Sequence, residues 1–156
     1  MNIQRNTLAL IATIFSGIQV LFTIFLVIAL QTQRNSPMLE NEITTALYQQ
    51  GISFAQLGLD FQQLIDAALL MFVLGLIFYL VKFLIGLFGY LNNNHKLIFI
   101  SLTLSLIMIL VIIILLSAPI FAFLDLIILV LYYLAYKKIK TMQLNSQDKT
   151  VIDIQL

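Results

Sequence analysis

Cysteine is absent from the 156 residues. That removes disulfides, thiolate metal sites and cysteine nucleophiles together, and with them the quinone-coupled thiol chemistry of four-helix oxidases. Tryptophan is missing too, so tyrosine and phenylalanine must supply any belt at a membrane interface. His95 is the single histidine, which excludes a two-histidine metal site, and no carboxylate pair has the helical spacing of metal ligands. No glycine-rich phosphate loop is present, and no cofactor is expected. Gly75, Gly86 and Gly89 lie within apolar runs and are read as packing positions. With a net charge of +1, nucleic acid is not an expected partner. No catalytic constellation remains, and the chain is read as a non-enzyme.

Charge itself is scarce. Only 10% of residues are charged and 62% are hydrophobic, against roughly 25% and 45–50% in soluble domains. The composition is that of a membrane protein. Four apolar runs carry it: residues 7–30, 67–91, 97–116 and 118–136. Each is close to the ~20 residues that cross ~30 Å of hydrocarbon as a helix. The alternative for the first run, a cleaved signal peptide, conflicts with its length, since a signal core is about 7–15 residues.

Direction follows from the basic residues. Arg5 precedes the first run, His95 and Lys96 sit between the second and third, and Lys137, Lys138 and Lys140 follow the fourth. The opposite side holds only Arg34, among Glu40, Glu42, Asp60 and Asp66. The expected fold is therefore all-α: a four-span bundle over residues 1–141 in the cell membrane, both termini cytoplasmic, with a cytoplasmic tail at 142–156. The polar stretch of that tail suggests loose attachment. Membrane lipids are expected partners, with Tyr132, Tyr133, Tyr136, Lys137, Lys138 and Lys140 as lipid anchors. A second membrane protein or a homo-oligomer is expected as well.

Segment 31–66 is the one sizeable external element. Ser36-Pro37 followed by Glu40 and Glu42 reads as a helix start, and Gly51 as its stop. Leu39, Ile43, Ala46 and Leu47 share a face, which makes Leu39, Glu40, Ile43 and Leu47 candidates for external recognition; the simpler reading is a cap over the bundle. Asp60 with Gln63 suggests a second start leading into the next span. A helix beginning near Ser53 and running unbroken into that span is the alternative.

Two ionisable residues fall inside the runs, Lys82 and Asp125. An unpaired charge in mid-bilayer costs from about 2.5 kcal/mol upward. The ordinary reading of Lys82 is that it lies near the boundary and extends its ammonium to the headgroups. Aspartate is too short for that, so Asp125 must be protonated, bonded to a neighbour, or paired with Lys82. Ser16, Gln19, Thr23, Ser101 and Ser105 are read as helix-contact residues, with Ala12 and Gly17 permitting close approach. The same polar residues could line a path for an ion or small solute.

The order of features resembles a family of small four-span membrane proteins of Gram-positive bacteria, classed as a domain of unknown function. The resemblance runs over residues 3–140. It rests on Gln4-Arg5-Asn6, the external segment, Asn92-Asn93-Asn94-His95-Lys96, the Pro119 turn and Lys137-Lys138-Ile139-Lys140. It implies four spans and no established activity. Two functions follow as expectations. The first is a membrane binding or accessory protein, either a partner of a larger complex or an immunity protein against a membrane-directed toxin. The second is a small transporter or ion-conducting oligomer using Asp125 and Lys82.

Overall fold

In a computed structural model, residues 6–113 and 119–154 are described, with side chains for 6–113 and 123–143. The turn expected at Ser117-Ala118-Pro119 lies largely outside them. The described residues form six helices and no strand: α1 (Thr7–Gln33), α2 (Pro37–Gln49), α3 (Phe54–Leu57), α4 (Phe61–Leu91), α5 (His95–Val111) and α6 (Pro119–Ile154). Among them, α1 and α4 are long and apolar enough to cross a membrane, and α5 is a shorter apolar helix. α6 continues through the segment read as a tail.

Local chemistry sets the breaks between helices. Asn6 starts α1, its Oδ1 accepting from Leu8 N at 3.1 Å. Ser36 caps α2, accepting from Leu39 N, with Pro37 as first residue. Gly51 then ends it at φ 72°, in the left-handed region that glycine enters without a Cβ penalty. Ile52 N donates back to Leu47 O and Gly51 N to Tyr48 O, each at 3.0 Å, the Schellman pattern of a helix stop.

The alternative of one unbroken helix from Ser53 is overturned. Ser53 and Gln56 form a reciprocal capping box, but the α3 that they start has only 4 residues before Gly58 turns left-handed. Asp60 opens α4 instead. Its Oδ1 accepts from Gln63 N at 2.7 Å, and Gln63 Oε1 accepts from Asp60 N at 3.0 Å. The asparagine run acts likewise between α4 and α5. Asn93 takes φ 48°, which asparagine tolerates better than most residues, and Asn94 caps α5 by accepting from Lys96 N at 2.9 Å.

The chain divides into two compact units, Met1–Gln19 with Tyr79–Leu156, and Val20–Phe78. The first holds the packed core: Ala9, Ala12, Ile98, Ile128, Tyr132, Ala135 and Ile139, flanked by Leu8, Phe15, Tyr90 and Leu102. Small residues let its helices approach. A Cβ on Gly89 would come within 2.9 Å of Ile98, and one on Gly17 within 3.2 Å of the Phe83 ring. Gly75 differs from the expected packing role, since nothing lies within 4 Å of where its Cβ would be.

The second unit is tied by polar contacts near the helix ends. Arg34 Nη2 lies 2.7 Å from Asp66, and Gln62 Nε2 donates to Arg34 O and Asn35 Oδ1. Its long helical surfaces are mostly exposed and apolar, as at Leu21, Phe25, Leu70 and Leu74.

Candidate functional site

The two charges of the apolar runs meet. Lys82 on α4 places Nζ 2.8 Å from Asp125 Oδ1 on α6, and both side chains are 0% exposed. Lys82 therefore does not extend to a surface, and the boundary reading is corrected. The reason is register. Asp125 sits about 15 Å along α6 from Ala135, and Lys82 a similar rise along α4 from the Asn92 turn. The two therefore reach one level, where each is the other's nearest neutralising partner.

Two further side chains complete the group. Lys82 Nζ donates to Gln19 Oε1 on α1 at 2.7 Å, and Tyr79 Oη donates to Asp125 Oδ2 at 2.8 Å. Tyr79 stands one turn before Lys82, and the ammonium also lies 4.7 Å from the centroid of its ring. The carboxylate thus has a donor on each oxygen, and the ammonium has two oxygen acceptors and an aromatic face. Tyr79 was not singled out from the sequence, although a tyrosine one helical turn from an apolar-run lysine is a usable signal. Gln19 was read as a contact residue but not as the partner of Lys82.

A second polar cluster lies beside the first. The Tyr132 hydroxyl is 3.3 Å from Ser16 Oγ, and Ser101 Oγ borders the same space beside Gly86. The hydroxyl occupies the space left by Gly86, where a Cβ would collide with it. Residues of α1, α4, α5 and α6 therefore close on one phenol. Tyr132 is 0% exposed, which corrects its reading as a lipid anchor. The helical spacing that sets Tyr133 outward turns Tyr132 into the core.

The contact residues otherwise lie as follows. Ser16, Gln19, Thr23, Ser101 and Ser105 are all buried. Ser101 Oγ donates to Lys82 O at 3.4 Å, and Ser105 Oγ to Ser101 O at 3.1 Å within α5. Of the remaining anchor residues, Tyr133, Lys137, Lys138 and Lys140 are exposed. Tyr136 packs against His95 and Phe99, with ring centroids at 6.3 and 5.3 Å.

On α2, within the segment read as external, Leu39, Ile43 and Leu47 are half-buried and Glu40 is exposed. The strongly exposed apolar side chains of α2 are instead Met38 (71%) and Tyr48 (80%), which the periodicity argument left out. Shallow surface hollows adjoin the helix, one along Asn41, Glu42, Thr45 and Gln49, another around Thr32, Ser36, Met38 and Leu39. Among the described residues no three metal-capable side chains gather.

No protein-family model, curated protein or solved structure matches this chain.

Proposed function

We propose that this chain is a multi-pass protein of the cell membrane that acts by binding, without catalysing a reaction. It serves as an accessory partner of a larger membrane assembly or as an immunity protein against a membrane-directed toxin. In this reading α1, α4, α5 with the apolar residues after it, and the first half of α6 cross the bilayer. Both termini face the cytoplasm, and α2 and α3 lie outside.

The observation that carries the functional choice is the closed state of the Lys82–Asp125 group. Each charge is met by its counter-charge and by one further polar partner, an arrangement that suits a fastener between helices. Recognition then falls to the external segment, where α2 exposes Met38 and Tyr48 beside Glu40. The topology is supported by contacts at one end of the packed unit. Asn6 Nδ2 donates to Ala135 O at 2.9 Å, and His95 and Phe99 meet Tyr136. These contacts gather the neighbours of Arg5, Lys96 and Lys137 at one end, as the positive-inside rule requires for a shared cytoplasmic face.

Because the chain has no cysteine, single cysteines report without background. At Tyr48 or Ser53 a cysteine reacts with an impermeant maleimide on intact cells, and at Asn93 only after lysis. A photo-crosslinker attached at Tyr48→Cys on intact cells gives a discrete adduct with one partner. Outside labelling at Asn93 overturns the topology, and the absence of any adduct along α2 overturns recognition there. The competing reading, transport through Asp125 and Lys82, prevails if vesicles holding the protein show a flux that Asp125→Asn abolishes with the fold intact.

A further inference from the structure

The end of the packed unit that carries α5's first turn has a charge distribution of its own. Lys96, Lys137, Lys138 and Lys140 are all exposed there. The exposed carboxylates with described side chains, Glu40, Glu42, Asp60 and Asp66, all belong to the external segment. These lysines therefore have no described carboxylate beside them and a strong field for an anion.

They are not equivalent. Lys140 Nζ lies 5.8 Å from the centroid of the Tyr136 ring, one turn after it on α6, and the same ring is 6.3 Å from His95. Lys96 follows His95, a step further from the buried side of α5 marked by Ile98 and Ser101. By helical spacing Lys140 shares the flank of α6 that bears Tyr136, whereas Lys138 lies on the opposite flank. The cation–π contact holds the Lys140 ammonium at the Tyr136 ring, and Lys96 stands next in sequence to His95, whose ring neighbours the same tyrosine.

We propose that this patch seats the phosphate of an anionic phospholipid headgroup, held between Lys96 and Lys140 over the Tyr136 ring. The inference rests on the membrane-spanning reading, which puts this end at the cytoplasmic headgroup layer, where tyrosine rings and lysines meet anionic lipid. The occupant is a lipid because Phe99, exposed beside Tyr136, offers apolar surface for the first acyl carbons. A free anion needs no such surface.

The test uses the full chain reconstituted in phosphatidylcholine vesicles containing a minor fraction of phosphatidylglycerol. Spin-labelled forms of each lipid report the motionally restricted population at the protein. Wild type selects phosphatidylglycerol several-fold at low salt. Lys96→Gln and Lys140→Gln each reduce that selectivity about fivefold, the factor equivalent to ~1 kcal/mol per lysine at an anionic surface. Lys140→Arg retains it, and Lys138→Gln changes it by less than about twofold, since that lysine lies on the other flank. Equal losses from all three glutamine variants mean a diffuse basic end and overturn the site. Full competition by millimolar inorganic phosphate overturns the lipid assignment in favour of a free-anion site. Failure of the wild-type chain to enter vesicles at all counts against the spanning reading instead.

Discussion

Two ion pairs of nearly equal length hold different parts of this protein. Arg34–Asp66 spans 2.7 Å with side chains 40% and 49% exposed, and Lys82–Asp125 spans 2.8 Å with both at 0%. Distance therefore says nothing about what each is worth. The exposed pair competes with water and salt, and such pairs contribute about 0–1 kcal/mol. The buried pair gains little net energy over an apolar alternative, because bringing two charges out of water offsets their attraction. Breaking it is another matter, since the survivor is left buried and uncompensated at a cost of about 3–5 kcal/mol. The buried pair thus acts on the choice of structure: it penalises any register of α4 against α6 in which Lys82 and Asp125 do not meet.

The comparison can be broken first at the buried pair. Lys82→Met and Asp125→Asn each destabilise by about 3–5 kcal/mol, read as a large loss of thermal stability in mild detergent. The double variant recovers much of that loss, because no uncompensated charge is left buried and an amide at position 125 can still accept from Tyr79. Additive losses would show that the two charges act separately and would remove the fastener.

A smaller effect is expected at the Tyr132 cluster. Gly86→Ala destabilises by about 1–3 kcal/mol through overpacking, since the new methyl meets the Tyr132 hydroxyl. Tyr132→Phe removes the hydroxyl and offsets part of that cost, so the pair is non-additive as contacting residues are. Equal costs of Gly86→Ala in both backgrounds would show that the hydroxyl is not what fills the space.

The smallest effect belongs to the exposed pair. Arg34→Gln or Asp66→Asn shifts stability by no more than about 1 kcal/mol, and raising ionic strength to ~1 M removes most of the difference. Salt should leave the effect of Lys82→Met unchanged, which separates the two pairs under one measurement.

Much of the helix order is legible in the chain because it is written locally. Ser36, Asp60 and Asn94 each satisfy backbone groups within three residues of themselves, so a short window of sequence suffices to read them. Ser53 was legible as a start but not as a short one; Gly58 ends α3 after one turn, and the choice between two adjacent caps depends on what each helix can bury. The levels of Lys82 and Asp125 were also countable from the ends of their runs, because helix rise is constant. Their pairing was among the readings the sequence left open, whereas Gln19 and Tyr79 as further partners were not. Met38 and Tyr48 escaped the reading of α2 because periodicity finds a shared face and not which side of it is left uncovered.

By itself the sequence determined the local starts and stops at Ser36, Gly51, Asp60 and Asn94, and which segments are apolar and which are basic. Those properties depend on spacing along one chain. The tertiary structure alone decided that Tyr132 turns inward while Tyr133 faces out, that Gln19 and Tyr79 join the ion pair, and that Gly75 meets nothing while Gly86 seats a phenol. The physical reason is that these helices are apolar all round, so no contrast between oily and wet faces marks the side that packs. Only the fit of one helix against another selects it.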